Sequence, residues 1–310
     1  MQVAKVNIGG QAVLEGIMMK GKSHYAVAVR KLDKSIVVDT KDSVSIMDRI
    51  KIFKWPLLRG VAVFIESLVL GVKTLSYSAE LYGEEEIEEA PSKFEMWLST
   101  KLGDMGEKII MALVMVLSFA LSIGLFMVLP MLISSFLKRF IDISLVIQNI
   151  IEGIIRIGLF LAYMKVITKV KDIKRTFEYH GAEHKCINCL EQDLPLTVEN
   201  VKSCSRLHKS CGTSFLFVVM IVSILVYSVF STEVVWQRIL IRIGMLPVIA
   251  GLAYEFIRWA RIKSDNKLAH MLSQPGMWLQ RVFTTEEPDE QQIEVAIAAV
   301  EGVLKYEPIE

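Results

Sequence analysis

Two long stretches without a charged side chain constrain the fold of this chain more than any other feature. They are residues 109–137 and 210–232. A membrane-spanning helix needs about 20 predominantly apolar residues, so each stretch is long enough to cross a bilayer. Hydrophobic residues make up 53% of the 310-residue chain, which is also typical of a membrane protein.

Two further stretches are apolar but carry charges. Residues 145–167 contain Glu152 and Arg156, whose i, i+4 spacing allows them to pair on one helix. Residues 239–260 contain Arg242, which can snorkel from near the end of its span, and Glu255. With the first two stretches, they predict an α-helical polytopic membrane protein with about four transmembrane helices in contact with the lipid bilayer.

The distribution of basic residues predicts the orientation of these spans. Segment 165–212 contains nine Lys and Arg, whereas the connecting loops 138–144 and 232–238 contain few. By the positive-inside rule, the 165–212 segment and both termini are expected to face the cytoplasm. In that reducing compartment, the four cysteines are expected to be thiols or thiolate metal ligands rather than disulfides.

Residues 1–55 are predicted to form part of a small cytoplasmic α+β layer. The runs 25–31 and 36–42 alternate with period two around a turn-like Asp-Lys-Ser, which predicts a β-hairpin. Before them, the block GGQAVLEGIMMKG (9–21) contains four glycines, which predict tight turns or close backbone approach.

The remaining segments follow from composition and periodicity. Residues 56–108 are predicted to be an interfacial helix at 57–72 and an acidic connector at 83–91. The spans then form two pairs, 109–167 and 210–260, around a cytoplasmic His/Cys loop at 168–209. The cytoplasmic tail, 261–310, ends in an amphipathic helix that is expected to pack on the soluble layer. Its apolar stripe is Ile293, Ala296, Ile297, Val300 and Leu304.

The chemistry concentrates in the stretch YHGAEHKCINC (179–189). Helical spacing of apolar residues continues from the second span, so His180 and His184 are predicted near the cytoplasmic end of a long helix. Histidines at i and i+4 share one helix face and can bind one metal ion. Glu183 can act as a base on water whose pKa the metal lowers, and the order H-x-x-E-H is also that of inverted zinc peptidases.

A catalytic zinc usually takes three protein ligands and keeps one position open. Glu255, about one helical turn from the charged boundary of its span, is one candidate for the third ligand. His208 and Glu15 are the others. Alternatively, the two histidines cap a helix end or pair with carboxylates.

The cysteines allow other interpretations. Cys186-x2-Cys189, followed by Cys204-x3-His208-x2-Cys211, is close to the spacing of a structural zinc site. One cysteine could instead join the histidine site, or all four could be unliganded thiols.

Five motifs in this order resemble an uncharacterised family of bacterial membrane proteins, whose members are sometimes labelled predicted metal-dependent enzymes. They are GGQAVLEGIMMKG, PLLRGVAVFIESLVLG, YHGAEHK, LPLTVENVKSCSRLHKSCGTSF and PGMWLQRVFTTEEPDEQQIEVAI, which together cover nearly the whole chain. The resemblance implies a multi-pass protein of the bacterial cytoplasmic (inner) membrane.

The resemblance also identifies the residues of this chain that stand at the family's motif positions. They are Gly9, Gly10, Gln11, Glu15, Gly16, His180, Glu183, His184, Lys185, Ser205, Arg206, His208, Cys211, Gly212, Pro275, Gly276 and Trp278. Cysteine at 186 and 204 is not part of the family pattern. The resemblance therefore favours a site built from His180 and His184 with one or two of His208, Cys211, Glu15 and Glu255.

We therefore expect a metal-dependent hydrolase at the cytoplasmic membrane face, with a divalent metal, zinc, as its cofactor and Glu183 as general base. The alternatives are a non-enzymatic binding or assembly module with a structural His/Cys metal site, acting on another membrane protein or a peptide, and a transporter. The formal net charge of +1 gives no global attraction for nucleic acid, so no nucleic-acid partner is expected.

Overall fold

The computed structural model describes residues 8–83, 104–209, 211–230, 232–262 and 266–307. Within them the chain is mostly helical, with one small antiparallel sheet. The strands are β1 (Gly9–Val13), β2 (Gly16–Lys20), β3 (His24–Arg30) and β4 (Ile36–Asp42). The helices are α1 (Ile46–Arg49), α2 (Leu58–Gly83), α3 (Asp104–Ile123), α4 (Leu129–Lys138), α5 (Leu145–Ile167), α6 (Lys171–Glu191), α7 (Val198–Ser203), α8 (Thr213–Val229), α9 (Val235–Ile262), α10 (Lys267–Leu279) and α11 (Glu290–Leu304). A 3₁₀ turn (Lys51–Lys54) and two π-helical turns (Gly124–Val128, Gln280–Thr284) complete the list.

The sheet has the order β1-β2-β3-β4 with every neighbouring pair antiparallel. The predicted hairpin is confirmed, because β3 pairs with β4 and Arg30 faces Ile36. The glycine-rich block forms a second hairpin, in which Val13 faces Gly16 across a two-residue turn. Glu15 occupies that turn with a φ of 45°, in the left-handed region that side chains other than glycine adopt rarely.

Both faces of the sheet are covered, which explains its unusually apolar second and third strands. Alternate residues such as Ile17, Met19 and Ala28 enter a core with α6 and α11. The residues between them, such as Met18 and Val27, pack with the 70–81 part of α2. Because side chains alternate across a strand, a sheet that is buried on both faces needs apolar residues at successive positions.

The C-terminal helix α11 confirms the predicted amphipathic stripe. Ile293, Ala296 and Val300 are buried in the core that α11 shares with the sheet and α6. A capping box starts the helix: Asp289 accepts a hydrogen bond from the Gln292 amide at 2.8 Å, and the Gln292 side chain accepts one from the Asp289 amide at 2.9 Å.

Within the described parts of the chain, three helices are long and apolar enough to cross a membrane: Ala112–Lys138, Leu145–Ile167 and Val235–Ala260. The first is continuous through the π-helical turn. The predicted fourth, residues 210–232, corresponds to the shorter apolar helix Thr213–Val229. The interfacial helix predicted at 57–72 is longer than expected, since α2 extends to Gly83. The acidic connector lies almost entirely outside the described residues.

One helix prediction was wrong. The second span does not continue into the histidine segment as one long helix, because α5 ends at Ile167 and α6 begins at Lys171. Val170 between them is extended, with φ −75° and ψ 125°. His180 and His184 therefore lie near the middle of a separate helix, which packs against the sheet, α7 and α11.

The chain divides into two units. The first contains residues 1–84, 164–222 and 244–310, and it includes the sheet, α6 and α11. The second contains residues 85–163 and 223–243, and it includes most of the first two spans.

Candidate metal centre

Two imidazoles on consecutive turns of α6 are held in a fixed orientation. His180 Nδ1 lies 2.6 Å from the Thr284 carbonyl oxygen, and His184 Nδ1 lies 2.8 Å from the Arg206 carbonyl oxygen. A carbonyl only accepts hydrogen bonds, so each Nδ1 carries the proton and each Nε2 keeps its lone pair. A backbone carbonyl on the second nitrogen is the usual support of a metal-binding histidine.

Cys211 completes a group of three metal-binding side chains. Its Sγ lies 3.3 Å from His180 Nε2. One donor atom from each of His180, His184 and Cys211 lies within 4.8 Å of the other two. Ligand atoms around a tetrahedral zinc are roughly 3.3–3.8 Å apart, given bonds of about 2.0–2.3 Å. The three donors are therefore close to the spacing of a metal site and need only a small contraction.

Two groups of Thr213, at the start of α8, contact the Cys211 sulfur. The Thr213 amide donates to Cys211 Sγ at 3.4 Å, and the Thr213 hydroxyl lies 3.2 Å from the same atom. Burial raises the pKa of the Cys211 thiol, and the two contacts with Thr213 only partly offset this, so a bound metal ion would have to supply the rest of the stabilisation of the thiolate.

Glu183 is buried beside this group. Burial raises the pKa of its carboxyl to about 7, although His180 and the Gly10 amide lower it and Cys211 raises it further. Its Oε2 atom is buried and has no hydrogen-bond partner among the described residues. Gly10 is required for this approach, since a Cβ there would lie 2.9 Å from the Glu183 carboxyl carbon and 2.8 Å from the Met18 carbonyl oxygen.

Burial also lowers the pKa of His184 well below its usual value, and the neighbouring His180 adds to this effect. His184 is therefore neutral at physiological pH, which is the protonation state that a metal ligand needs. The carboxyl of Glu183 and the imidazole of His184 are thus both biased toward their uncharged forms in the absence of a cation.

Two segments supply the carbonyls that orient the imidazoles: the first contains Arg206, and the second contains Thr284. The Arg206 side chain links the two segments. The carbonyl of Arg206 holds His184, while its guanidinium donates to the carbonyl of Thr285, next to the Thr284 carbonyl that holds His180. Asn188 fixes the first segment by donating to the Ser205 and Leu207 carbonyls at 2.6 and 3.1 Å. Lys185 donates to the Lys202 and Cys204 carbonyls, both at 2.9 Å.

The second segment depends on a close approach to α6. The Glu286 amide donates to the Phe177 carbonyl at 3.0 Å, and a Cβ at Gly181 would lie 2.1 Å from the Glu286 carbonyl oxygen. The Gln280 side chain joins the two segments by accepting from the His208 amide and donating to its carbonyl, both at 3.0 Å.

The other predicted ligands have different partners. His208 Nε2 lies 3.2 Å from a Glu191 carboxylate oxygen. Glu255 receives the guanidinium of Arg59, with Nε at 2.5 Å. Glu15 receives Arg175 through Nε and Nη2, both at 2.5 Å. Cys211 therefore joins the two histidines in the group of donors, while the His208 ring lies beside that group, 5.8 Å from the His184 ring between centroids, with its Nε2 directed to Glu191.

Two further motif residues, Lys185 and Trp278, make contacts elsewhere in the protein. Lys185 pairs with Glu287 at 2.7 Å in addition to its two carbonyl bonds. Trp278 is 45% exposed on α10, with its ring edge-on to Phe283.

The three other cysteines lie in the core formed by the sheet, α6 and α11. All four cysteines are free and buried. Cys186, Cys189 and Cys204 are members of the hydrophobic core cluster. Burial, followed by the influence of Cys204, raises the pKa of Cys189 to about 11, so it is a neutral thiol at physiological pH. The described residues do not group these cysteines with Cys211, as one four-cysteine zinc site would require.

Sequence reasoning missed the residues that orient the ligands. Thr284 and Arg206 act through their backbone carbonyls, which leave no mark on side-chain patterns. Gly181 was visible inside the motif, and a glycine in a helix interior is a signal of close approach that could have been used.

Comparisons with known proteins agree with the motif resemblance. The family model "Protein of unknown function (DUF1385)" matches residues 55–306. "Uncharacterized protein YqhQ" of Bacillus subtilis (strain 168) is 36% identical over 318 aligned residues, which cover 97% of this chain and 93% of that protein. No solved structure matches the chain. The chain therefore belongs to the DUF1385 family.

Proposed function

We propose that this protein is a metal-dependent hydrolase whose centre is formed by His180, His184 and Cys211. The observation that carries the proposal is the orientation of both histidines: each Nδ1 is bound by a backbone carbonyl, and each Nε2 is left with its lone pair near the thiol. Two imidazoles and one thiolate form a three-ligand set of the kind that catalytic zinc sites use, with a fourth position for water or substrate.

The ligand chemistry favours zinc among divalent ions. A borderline-soft ion accepts both imidazole and thiolate, whereas magnesium and calcium prefer oxygen ligands. A bound zinc ion would supply Lewis acidity and make water nucleophilic at neutral pH.

Glu183 is the proposed general base. Its carboxyl is buried, and its Oε2 lacks a hydrogen-bond partner among the described residues, so this atom is available to accept a proton from water. The Gly10 amide donates a hydrogen bond to the same carboxyl. A general base must lie within hydrogen-bond reach of the proton that it takes, so the proposal requires metal-bound water to lie within reach of this carboxyl.

We further propose four membrane-spanning helices in the bacterial cytoplasmic membrane, with α8 as the fourth and both termini in the cytoplasm. The nine basic residues of segment 165–212 support this orientation. Because α6 and the sheet belong to that side, the substrate would be a peptide or lipid reached at the inner membrane face.

Cobalt substitution tests the ligand set directly. Co²⁺ replaces zinc in such sites and has visible absorption that reports thiolate ligation. The full chain in detergent, loaded with Co²⁺, should show a thiolate-to-cobalt band that disappears in Cys211→Ser and persists in Cys204→Ser. A band that survives in Cys211→Ser would contradict the ligand assignment.

Glu183→Gln separates catalysis from structure. The hydrolase proposal predicts that this variant keeps its metal and loses turnover of peptide or lipid ester substrates by about 10²–10⁴-fold. If the centre is only structural, wild type and Glu183→Gln should be equally inactive on every substrate tested while the metal content of both stays the same.

A further inference from the structure

A second cluster of charged side chains lies in the unit formed by residues 85–163 and 223–243. Three arginines surround one carboxylate: Arg156 donates to Glu152 at 2.8 Å, Arg238 donates to it at 3.1 Å, and Arg242 contacts both of its oxygens. The Glu152 side chain is 1% exposed, Arg242 3% and Arg238 6%. Arg242 therefore does not snorkel to the surface as its position in the sequence suggested.

The charges of this cluster do not balance. One carboxylate neutralises one of the three guanidinium groups, and Glu152 is the only carboxylate that contacts them among the described residues. A guanidinium cannot lose its proton in a protein. Two positive charges are thus left over in helices that are apolar enough to span a membrane, where unpaired charge is expensive.

Neutral groups of the same unit orient the arginines without removing this excess. Arg156 donates to the Phe126 carbonyl at 2.9 Å, in the π-helical turn, and to the Ser223 hydroxyl at 3.0 Å. The guanidinium groups of Arg156 and Arg242 lie over the Tyr227 ring, 5.5 and 5.3 Å from its centroid. Arg242 Nη1 and Nη2 both face Glu152, which leaves that carboxylate shared among the three guanidinium groups.

The cluster extends from one end of its helices to the middle of α5, where Arg156 lies eleven residues, roughly 16 Å, from the first residue. Arg238 and Arg242 are three and seven residues from the first residue of α9, which corresponds to roughly 5 and 10 Å along the helix. Glu152 is seven residues from the start of α5, again roughly 10 Å. These depths overlap the headgroup region and the outer edge of the hydrocarbon core, since the two headgroup layers add about 10–15 Å to a hydrocarbon core of about 30 Å.

We propose that Arg156, Arg238 and Arg242 form a binding site for a phosphate monoester. A phosphate monoester carries a charge of about −1.5 to −2 at pH 7, which matches the excess of two positive charges. The planar guanidinium fork binds phosphate oxygens in pairs, which explains arginine rather than lysine at all three positions. The ligand is either a lipid headgroup of the phosphatidic acid type or a soluble phosphate. This site is independent of the metal centre and of the hydrolase proposal.

Thermal unfolding of the full chain in a maltoside detergent tests the site. The probes are inorganic phosphate and dioctanoyl phosphatidic acid, with dioctanoylglycerol and potassium chloride at matched ionic strength as phosphate-free controls. At saturation, a phosphate-bearing probe should raise the melting temperature by about 5 °C relative to its control. A shift with both probes assigns the site to phosphate chemistry in general. A shift with dioctanoyl phosphatidic acid alone assigns the site to a lipid headgroup, and a shift with inorganic phosphate alone assigns it to a soluble phosphate.

Variants link any shift to the cluster. Arg242→Gln and Arg238→Gln should each weaken the response at least 10-fold in probe concentration, because each removes a charged hydrogen-bond donor. Arg139→Gln, at an exposed position in the same unit, is the matched control and should respond as wild type does. Native mass spectrometry of wild type with each probe measures binding even if a variant does not fold. No adduct and no shift beyond the chloride control would overturn the proposal, as would shifts that both cluster variants retain.

Discussion

The two polar clusters of this protein differ in which groups are in excess: electron lone pairs in the metal centre and charged N–H donors in the arginine cluster. In the metal centre, hydrogen-bond donors are already paired with backbone carbonyls, and the atoms that converge are the lone pairs of His180, His184 and Cys211. In the arginine cluster, the converging atoms are N–H donors, and one carboxylate serves three cations. A surplus of lone pairs fits a cation, and a surplus of charged donors fits an anion. In each cluster, the kind of group that is in excess therefore indicates the class of ligand: a cation for the metal centre and an anion for the arginine cluster.

The two clusters also differ in how they are supported. Each histidine of the metal centre is fixed by a main-chain carbonyl from a loop that Arg206 and Gln280 hold. The arginines are fixed by side chains and by one carbonyl that a π-helical turn exposes. Substitutions should consequently act locally on the arginine cluster, but through loop position on the metal centre.

The largest effect is expected at Glu152. Glu152→Gln leaves three buried guanidinium groups without their carboxylate, and breaking a buried ion pair from one side costs about 3–5 kcal/mol. Chemical denaturation of the full chain in detergent should show this loss of stability. Glu233→Gln is the matched control in the same unit, since the Glu233 side chain is 74% exposed and pairs with Lys138, and this substitution should cost far less stability. Equal effects of the two substitutions would remove the distinction between a buried and an exposed ion pair.

A second substitution moves a loop without touching a ligand. The Cβ of Gly181→Ala would collide with the Glu286 carbonyl and displace the segment that carries the Thr284 carbonyl. We expect metal affinity to fall about 10–100-fold, as when a supporting hydrogen bond of a ligand is lost. Competition of the variant with a zinc chelator measures this change. Gly158→Ala, where a Cβ would meet nothing within 4 Å, should leave affinity unchanged. Wild-type affinity in Gly181→Ala would show that the Thr284 carbonyl is not required.

These substitutions also show how much of the molecule could be predicted from sequence. The β3–β4 hairpin and the apolar stripe of α11 repeat every two or every three to four residues, so local periodicity was enough. The pair His180 and His184 and the pair Glu152 and Arg156 were visible because each lies on one helix. For the third ligand, the residues themselves suggested Glu255, His208 and Glu15, and the family resemblance added Cys211; only the tertiary structure brings Cys211 into one group of donors with the histidines.

Other features escaped prediction for definite physical reasons. The break between α5 and α6 falls at Thr168–Val170, where no glycine or proline marks the end of a helix. The first hairpin was interpreted only as turns, because glycines at 9, 10 and 16 hide the alternation of its strands. Arg238 and Arg242 converge on Glu152 from a helix distant in sequence, a contact that no local pattern encodes.

The smallest effect is expected at the C-terminal end of the described chain. Glu307 accepts hydrogen bonds from the backbone amides of Lys22, Ser23 and His24 at 2.6–2.7 Å. Burial raises the pKa of its carboxyl, but the bonds from Ser23, Lys22 and His24 together outweigh burial and lower the pKa to about 2. A lowered pKa stabilises the folded state above the unfolded value of 4.5, and this contribution is lost as pH falls toward 2.

Glu307→Gln should therefore reduce stability by about 1 kcal/mol at pH 7, and the difference from wild type should shrink between pH 4.5 and pH 2. Circular dichroism melts across this range measure it. Asp42→Asn is the control, since Asp42 is 87% exposed. A difference that stays constant from pH 7 to pH 2 would mean that the charge of Glu307 does not contribute.

Elemental analysis of the full chain purified in detergent, wild type beside His180→Ala/His184→Ala, tests the central claim most directly. His208→Gln is measured in parallel, because that imidazole pairs with Glu191 outside the proposed ligand set. We predict about one zinc per chain in wild type and in His208→Gln, and none in the double variant. A wild-type protein that contains no transition metal, and acquires none when incubated with zinc, would rule out a metal centre at His180 and His184.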